Sequence, residues 1–132
     1  MVSGEQKKKN IMPINSYRDL DVWNRGVDLA VKIYETTREL PPEERYGLTS
    51  QMRRAAVSIP SNTAEGWGRH YPAEFINFLR KSNGSRTELE TQLIIAERVK
   101  LLDPAIVAEN LAELEIIGKQ LLSLERSLER NL

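Results

Sequence analysis

Polar and charged side chains recur along one face of the second predicted helix, where their spacing could support phosphate binding or a polar seam. They are Arg54, Ser58, Ser61, Glu65 and Arg69, at spacings of 4, 3, 4 and 4 residues. Residues three or four apart share one side of an α-helix. Three interpretations are open. The stripe is a solvated face with a Glu65–Arg69 ion pair, a seam in which Arg54 and Glu65 fix the register of helices or subunits, or a strip that contacts phosphates.

Basic residues of the second and third helices are the candidate contacts to nucleic acid. The phosphate interpretation uses arginines of the second helix, and a further basic cluster follows on the third. Lys and Arg side chains neutralise phosphates and position a protein on nucleic acid without reading its sequence. The candidates are Arg53, Arg54, Arg69, Arg80, Lys81 and Arg86.

A second polar set could meet between the second and third helices as a structural network. A buried carboxylate needs a partner, because isolated burial of a charge is costly, and Arg53 or Arg54 could supply it. The predicted network comprises Asn62, Glu65, Ser85, Glu88 and Gln92.

The chain has few side chains suited to catalysis, and we expect no enzyme, no metal and no cofactor. It has no cysteine and one histidine, His70, which excludes thiol chemistry and cysteine-ligated metals. A di-iron bundle needs Glu-x-x-His motifs on two helices, and the sequence has none. Gly66-Trp67-Gly68 lacks the Gly-Lys-Ser/Thr of a phosphate loop, and we expect it to end the second helix. No catalytic residue and no small-molecule substrate is predicted.

Length and composition are typical of one globular domain. The chain has 132 residues, 19 Lys+Arg against 19 Asp+Glu, and 40% hydrophobic residues. These values exclude a disordered chain and a strongly basic histone-like protein. Residues 1–16 contain Lys7, Lys8 and Lys9 and no apolar signal segment. We therefore expect a disordered basic arm over 1–16, one domain over 17–132, and a cytoplasmic protein without membrane contact.

Apolar residues recur at helical spacing in four segments, and no strand pattern occurs. Ser16 is the expected N-cap of the first helix, and Asp103 that of the fourth. Trp23 and Tyr34 fall on the apolar face of the first helix and are predicted core residues. The predicted helices are 17–39, 49–66 or 49–69, 72–100 and 104–130. Four such helices with short connections favour an all-α, antiparallel up-down four-helix bundle.

The second and third helices contain local signals against continuity. Pro60 should kink the second helix or break it at Ile59. Asn83-Gly84, followed by the capping-box pattern of Ser85 and Glu88, predicts a break in the third. The apolar stripe of the second helix consists largely of small residues, which allow a neighbouring helix to approach closely. It comprises Leu48, Met52, Ala55, Ala56, Ile59, Thr63 and Gly66.

The fourth helix has a wider apolar face than packing against one layer requires. Ile106 and Leu122 flank its leucine-rich stripe and widen the apolar arc to roughly 160°, against the 100° or so that one layer needs. The excess predicts a helix buried on two sides, in a bundle interior or an oligomer interface. The stripe comprises Val107, Leu111, Leu114, Ile117, Leu121, Leu124 and Leu128.

Several motifs together resemble one family. The chain is similar to the bacterial four-helix bundle family first noted in open reading frames within intervening sequences of large-subunit ribosomal RNA genes. The accessory variability protein of diversity-generating retroelements is similar to that family. The resemblance covers about 17–102. Its motifs include Tyr17-Arg-Asp-Leu-Asp-Val-Trp23, Gln51-Met-Arg-Arg-Ala-Ala-Val-Ser-Ile-Pro-Ser-Asn62, Ala64-Glu-Gly66 and Glu88-Leu-Glu-Thr-Gln-Leu93.

The resemblance implies a fold and an assembly beyond what the spacing indicates. It implies a left-handed antiparallel bundle whose second and third helices continue through Pro60 and Gly84, and a ring-shaped homopentamer. For the retroelement relative it implies binding to reverse transcriptase and to nucleic acid through a basic surface, and it implies no enzymatic activity. Thr63 stands where the family usually has Ile, so that core position is more polar here.

The leading hypothesis is a non-enzymatic, oligomeric helical-bundle module. Its expected partners are itself, RNA or DNA, and a nucleic-acid enzyme such as a reverse transcriptase. The alternative is a protein–protein adaptor or structural module that binds no nucleic acid.

Overall fold

The computed structural model describes residues 15–132, where four α-helices and no strand are found. Two short 3-10 helices, Tyr17–Asp19 and Pro42–Glu44, precede the first and second α-helices. The α-helices are α1 (Asp21–Thr37), α2 (Leu48–Gly68), α3 (Pro72–Arg98) and α4 (Pro104–Glu129). The predicted all-α class is confirmed.

The first α-helix begins later than the sequence predicts. Ser16 caps a 3-10 turn, because its hydroxyl accepts from the Arg18 N–H while the Asp19 carboxylate accepts from the Ser16 N–H. Leu20 is then extended, so α1 begins at Asp21. Asp103 does cap α4, where its carboxylate accepts from the Ala105 N–H at 2.9 Å.

Helices α2 and α3 are each continuous, as the family resemblance implies, so the alternative of a break at Ile59 and the local signal for a break at Gly84 are wrong. Pro60 is buried inside α2 and packs against Gly26 of α1, where an added Cβ would lie 3.3 Å from the proline ring. The missing side chain at Gly26 thus leaves room for the ring between the helices. Tertiary packing of this kind outweighs local helix propensity.

The Gly66-Trp67-Gly68 segment ends α2, as the sequence predicts, but Gly66 itself lies inside the helix. The helix continues to Gly68, and the turn follows at His70, which has a positive φ of 69°. Gly66 instead lies where α2 crosses α3. A Cβ there would be 2.6 Å from the Cβ of Phe78 and 2.9 Å from the ring of Phe75.

Contacts between the helices show that consecutive helices run antiparallel. Along α2 and α3, Thr63 meets Ser82 while Gly66 meets Phe78, so the numbering rises in opposite directions. The other neighbouring pairs behave alike and close the bundle from α4 back to α1. The pairs are Gly26–Pro60 and Thr37–Arg53 for α1 and α2, Arg80–Glu125 and Arg86–Leu114 for α3 and α4, and Asp21–Gln120 and Lys32–Glu109 for α1 and α4.

One core runs the length of the bundle. The small-residue stripe predicted for α2 is buried from Met52 to Gly66, as the spacing indicates. The wide apolar arc of α4 has a cause within the bundle, because α4 packs against both α3 and α1. Ile116 and Leu122 of α4 remain exposed. The largest fully buried apolar side chains are Leu29, Ile33, Met52, Ile59, Leu79, Leu89, Leu93, Val107, Leu114, Ile117 and Leu121.

Most of the predicted basic arm lies outside the described residues, which begin at Asn15. Within 15–132, no helix has the length and apolar character needed to cross a membrane.

Candidate nucleic-acid interface

Three arginines surround one open groove beside the N-terminal end of α2. The groove has a volume of about 470 Å³, and Arg45, Arg53 and Arg54 line it together with the rings of Tyr34 and Tyr46. Thr49, Ser50 and Val57 complete the lining, so no carboxylate lines it among residues 15–132. We call this the arginine groove. A positive groove with aromatic rings is the arrangement that binds single-stranded nucleic acid.

Arg53 is fixed in the wall of the arginine groove by contacts with α1. Its Nε donates to the Thr37 hydroxyl at 2.8 Å, and its Nη2 donates to the Tyr34 carbonyl at 3.3 Å. Its guanidinium carbon lies 4.6 Å from the centre of the Tyr34 ring. The charge is therefore held in one position, while Arg54 beside it is exposed. Tyr34 is also exposed, so the prediction that it belongs to the core is wrong.

Arg45 and Tyr46 also line the groove, although neither is among the six basic candidates predicted from the sequence. Tyr46 is 86% exposed, and the Arg45 guanidinium carbon lies 5.4 Å from its ring centre. The neighbouring Glu44 carboxylate accepts the Leu48 N–H at 3.2 Å and so caps α2. An Arg-Tyr pair directly before a helix start was the available signal, but its closeness to Arg53 depends on the fold.

Arg69 and Lys81 meet elsewhere, next to the Phe78 ring. Their charged groups lie 5.0 and 4.4 Å from its centre. Arg69 also pairs with Glu65 at 3.3 Å and approaches Glu74 at 4.0 Å. The Glu65–Arg69 ion pair is the contact expected if this stripe is a solvated face. This cluster is separate from the arginine groove.

Arg80 and Arg86 are occupied by partners within the chain. The Arg80 guanidinium donates to Glu125 at 2.6 Å and to Glu129 at 3.3 Å, and the bond to Glu125 is the main reason that its pKa is raised. The Arg86 side chain is only 17% exposed, pairs with Glu90 and donates to Asn83 at 2.8 Å. These two arginines connect helices of the bundle, and neighbouring carboxylates already compensate their charges. They are therefore poor candidates for contacts to a phosphate.

The predicted polar network does not join α2 to α3 in this structure. Asn62 donates to the Ser58 carbonyl of its own helix, Glu65 pairs with Arg69, and Gln92 donates to Glu88. Ser85 is half-buried on α3. The polar link between α2 and α3 is formed by Thr63 and Ser82, whose hydroxyl oxygens are 3.0 Å apart. The register of two packed helices decides which polar side chains meet, and this register cannot be derived from the residue spacing along either helix.

No grouping of three or more His, Cys, Asp or Glu side chains that could hold a metal ion occurs within 15–132. His70 is exposed beside Trp67, with ring centres 6.0 Å apart. The geometry thus offers cationic and aromatic surfaces, and we find no nucleophile–base pair to nominate among the described residues.

The sequence matches a known family over most of its length. The model of the 23S rRNA-intervening sequence protein family matches residues 18–123. The chain belongs to this family. No protein in a search of curated sequences is significantly similar to it.

A solved structure shows the same fold as this intervening sequence protein. It is the crystal structure, at 1.70 Å resolution, of a protein of unknown function from the S23 ribosomal protein family of Bacteroides thetaiotaomicron VPI-5482. The TM-score is 0.72 at 22% sequence identity, over 80% of this chain and 98% of that chain. At this identity the likeness establishes the fold alone.

Proposed function

We propose that this intervening sequence protein is a non-enzymatic helical-bundle module that binds single-stranded nucleic acid in the arginine groove. The observation that carries the proposal is the convergence of Arg45, Arg53 and Arg54 with two tyrosine rings on a groove without a carboxylate in its lining. Phosphates would meet the guanidinium groups, and an unstacked base would meet the exposed Tyr46 ring.

The six sequence candidates contribute unequally to this proposal. Arg53 and Arg54 line the groove, and Arg45 replaces the ion-paired Arg80 and Arg86 as a phosphate contact. Arg69 and Lys81 form a second cationic patch around Phe78, which a longer strand would reach only after leaving the groove.

Self-association in a ring, with a pentamer as the expected size, is part of the proposal. Exposed apolar side chains at Ile95, Val99, Ile116 and Leu122 support it. Light scattering should give several times the chain mass of 15.1 kDa, and a monomer at micromolar concentration would contradict it. A reverse transcriptase is the proposed protein partner, and co-purification with one is the corresponding test.

The binding proposal is tested by fluorescence anisotropy with a labelled 12-nucleotide oligo(U) and a duplex of equal length, at several salt concentrations. We expect the single strand to bind more tightly. In R45Q/R54Q the plot of log affinity against log salt should lose about 1.4 units of slope, because each single-strand phosphate contact contributes about 0.7. Tyr46→Leu should weaken binding at least about fivefold, whereas Tyr46→Phe keeps the stacking surface.

Arg80→Gln is the matched control, because Glu125 and Glu129 already neutralise that guanidinium. It should leave both the affinity and the salt slope unchanged. Absence of salt-dependent binding, or an equal loss in R80Q and R45Q/R54Q, would overturn the proposal and favour the adaptor alternative.

A further inference from the structure

An apolar groove runs along the outer surface between α1 and α2. It has a volume of about 570 Å³, within the range of sites that hold small ligands. Val31 and Val57 in its lining are 55% and 41% exposed. Trp23 lies towards one end, and Tyr34 and Glu35 lie towards the other. Neighbouring apolar side chains that are exposed to water in this way are typical of a binding surface.

The described chain starts at the Trp23 end of this apolar groove. Tyr17 lines the groove, and its ring centre lies 5.2 Å from that of Trp23. The N–H groups of Asn15 and Ser16 both donate to the Asp19 carboxylate at 3.2 Å. These bonds fix the point from which the preceding residues depart. The first described residues are therefore held at the Trp23 end of the groove.

The residues before Asn15 are apolar next to the bundle and basic further from it. This order corresponds to an apolar groove with Glu35 towards its far end. Ile11-Met12-Pro13-Ile14 is apolar, and Lys7, Lys8 and Lys9 stand further from the bundle. In an extended chain Lys9 lies about 17 Å from Ile14. Along α1, Trp23 and Glu35 are separated by about 18 Å. The lysines would therefore reach the exposed Glu35 when the apolar residues cover the groove.

We infer that residues Ile11–Ile14 bind lengthwise in the α1–α2 groove of their own chain, with Lys7–Lys9 beside Glu35. The occupant is apolar where the groove is apolar, and its basic end lies beside Glu35, Arg38 and Glu39 near the end of α1, where two carboxylates face one guanidinium. Tyr34 and Val57 line both this groove and the arginine groove. The bound arm thus brings three lysines next to the arginine groove, a consequence that rests on the proposed function.

Disulfide trapping in the full chain tests the inference without nucleic acid. The chain has no cysteine, so an intrachain disulfide can form only between the two introduced cysteines. Ile11 lies about 10 Å from Ile14 in an extended arm, which places it near Val31 in the groove. The test pair is I11C/V31C. The control is I11C/I116C, because Ile116 is exposed on α4 at a level near Asn24, within reach of an undocked arm.

Both variants are equilibrated with reduced and oxidised glutathione and resolved on a non-reducing gel. We expect I11C/V31C to form an intrachain disulfide at about tenfold lower oxidant than the control, because docking raises the effective concentration of the thiols. Equal behaviour of the two pairs would overturn the inference. A disulfide-linked dimer would overturn it as well, since the groove would then hold a second copy. The disulfide experiment contains no RNA, so its outcome is independent of nucleic-acid binding. A failure of the arm-docking inference can therefore be distinguished from a failure of the proposed function.

Discussion

The hydroxyl oxygens of Thr63 and Ser82 lie 3.0 Å apart in the buried seam between α2 and α3, and each is 2.9 Å from the carbonyl oxygen of Ile59. Both residues are fully buried. Three oxygens thus share two protons, so that either hydroxyl alone can still donate to the carbonyl. Ser82 thus accommodates the Thr63 hydroxyl inside the core.

This arrangement predicts nearly additive effects of Thr63→Val and Ser82→Ala. Each single variant should lower the free energy of unfolding by about 1 kcal/mol, the value of one buried hydrogen bond. The double variant should cost about the sum of the two, because the hydroxyl that remains in either single variant keeps its bond to the Ile59 carbonyl and loses it only with the second substitution. Urea unfolding of the four proteins measures the cycle. Thr91→Val, at an exposed position of α3, is the control and should change stability little. A double variant that costs at least about 0.5 kcal/mol less than the sum would contradict the shared-proton arrangement.

The two glycines Gly66 and Gly84 should respond in opposite directions to alanine. At Gly66 the new Cβ would collide with Phe78 and Phe75, whereas at Gly84 nothing lies within 4 Å. Gly66→Ala should therefore lower stability by about 1–3 kcal/mol through overpacking. Gly84→Ala should raise it by about 0.5–1 kcal/mol, because alanine favours the helix. Thermal unfolding measures both variants, and a Gly66→Ala protein at least as stable as the native protein would show that the close crossing is absent.

Lys100 lies two residues beyond the end of α3 and adopts the left-handed region, with a φ of 63°. This conformation costs a non-glycine residue about 1–2 kcal/mol. Glycine avoids that cost, but its larger loss of chain entropy on folding cancels part of the gain. Lys100→Gly should raise the free energy of unfolding by about 0.5–1 kcal/mol. Lys119→Gly, at an exposed position inside α4, should instead lower it by about 1 kcal/mol. Chemical denaturation compares them, and a destabilised Lys100→Gly would refute the capping role.

Asp21 should give the bundle an acid-sensitive contribution to stability. The hydrogen bond from Gln120 at 2.6 Å, followed by that from Arg25 at 3.1 Å, lowers the pKa of the Asp21 carboxyl. A lowered folded-state pKa stabilises the protein above the unfolded pKa of about 3.9, and this stabilisation is lost as the pH falls through the folded value.

The expected result is a stability difference between the native protein and Asp21→Asn that is largest above about pH 5 and shrinks towards pH 2. Urea unfolding across this range measures it. Gln120→Ala, which removes the stronger of the two hydrogen bonds, should reduce the same pH dependence. A difference that stays constant with pH would show that the carboxylate bonds do not persist in solution.

The sequence determined the elements and the buried faces, because both depend on local periodicity. The four helices, the small-residue stripe of α2 and the N-cap at Asp103 follow from spacing and residue type. The same local reasoning failed at Pro60 and Gly84, where local propensity favours a break while the packed bundle keeps α2 and α3 continuous. The resemblance to a known family correctly indicated continuity at both positions.

Only the tertiary structure decided which polar and charged side chains share a surface. Arg45 and Arg53 are eight residues apart in the sequence and meet in one groove because the turn before α2 folds back beside α1. Arg80 and Arg86 look equally free in the sequence, yet Glu125 and Glu90 neutralise them. Periodicity fixes the face that a helix buries, but the rotation and register of two packed helices arise from side-chain fit across the interface. That fit, which pairs Thr63 with Ser82 and Gly26 with Pro60, exists only once the helices are together.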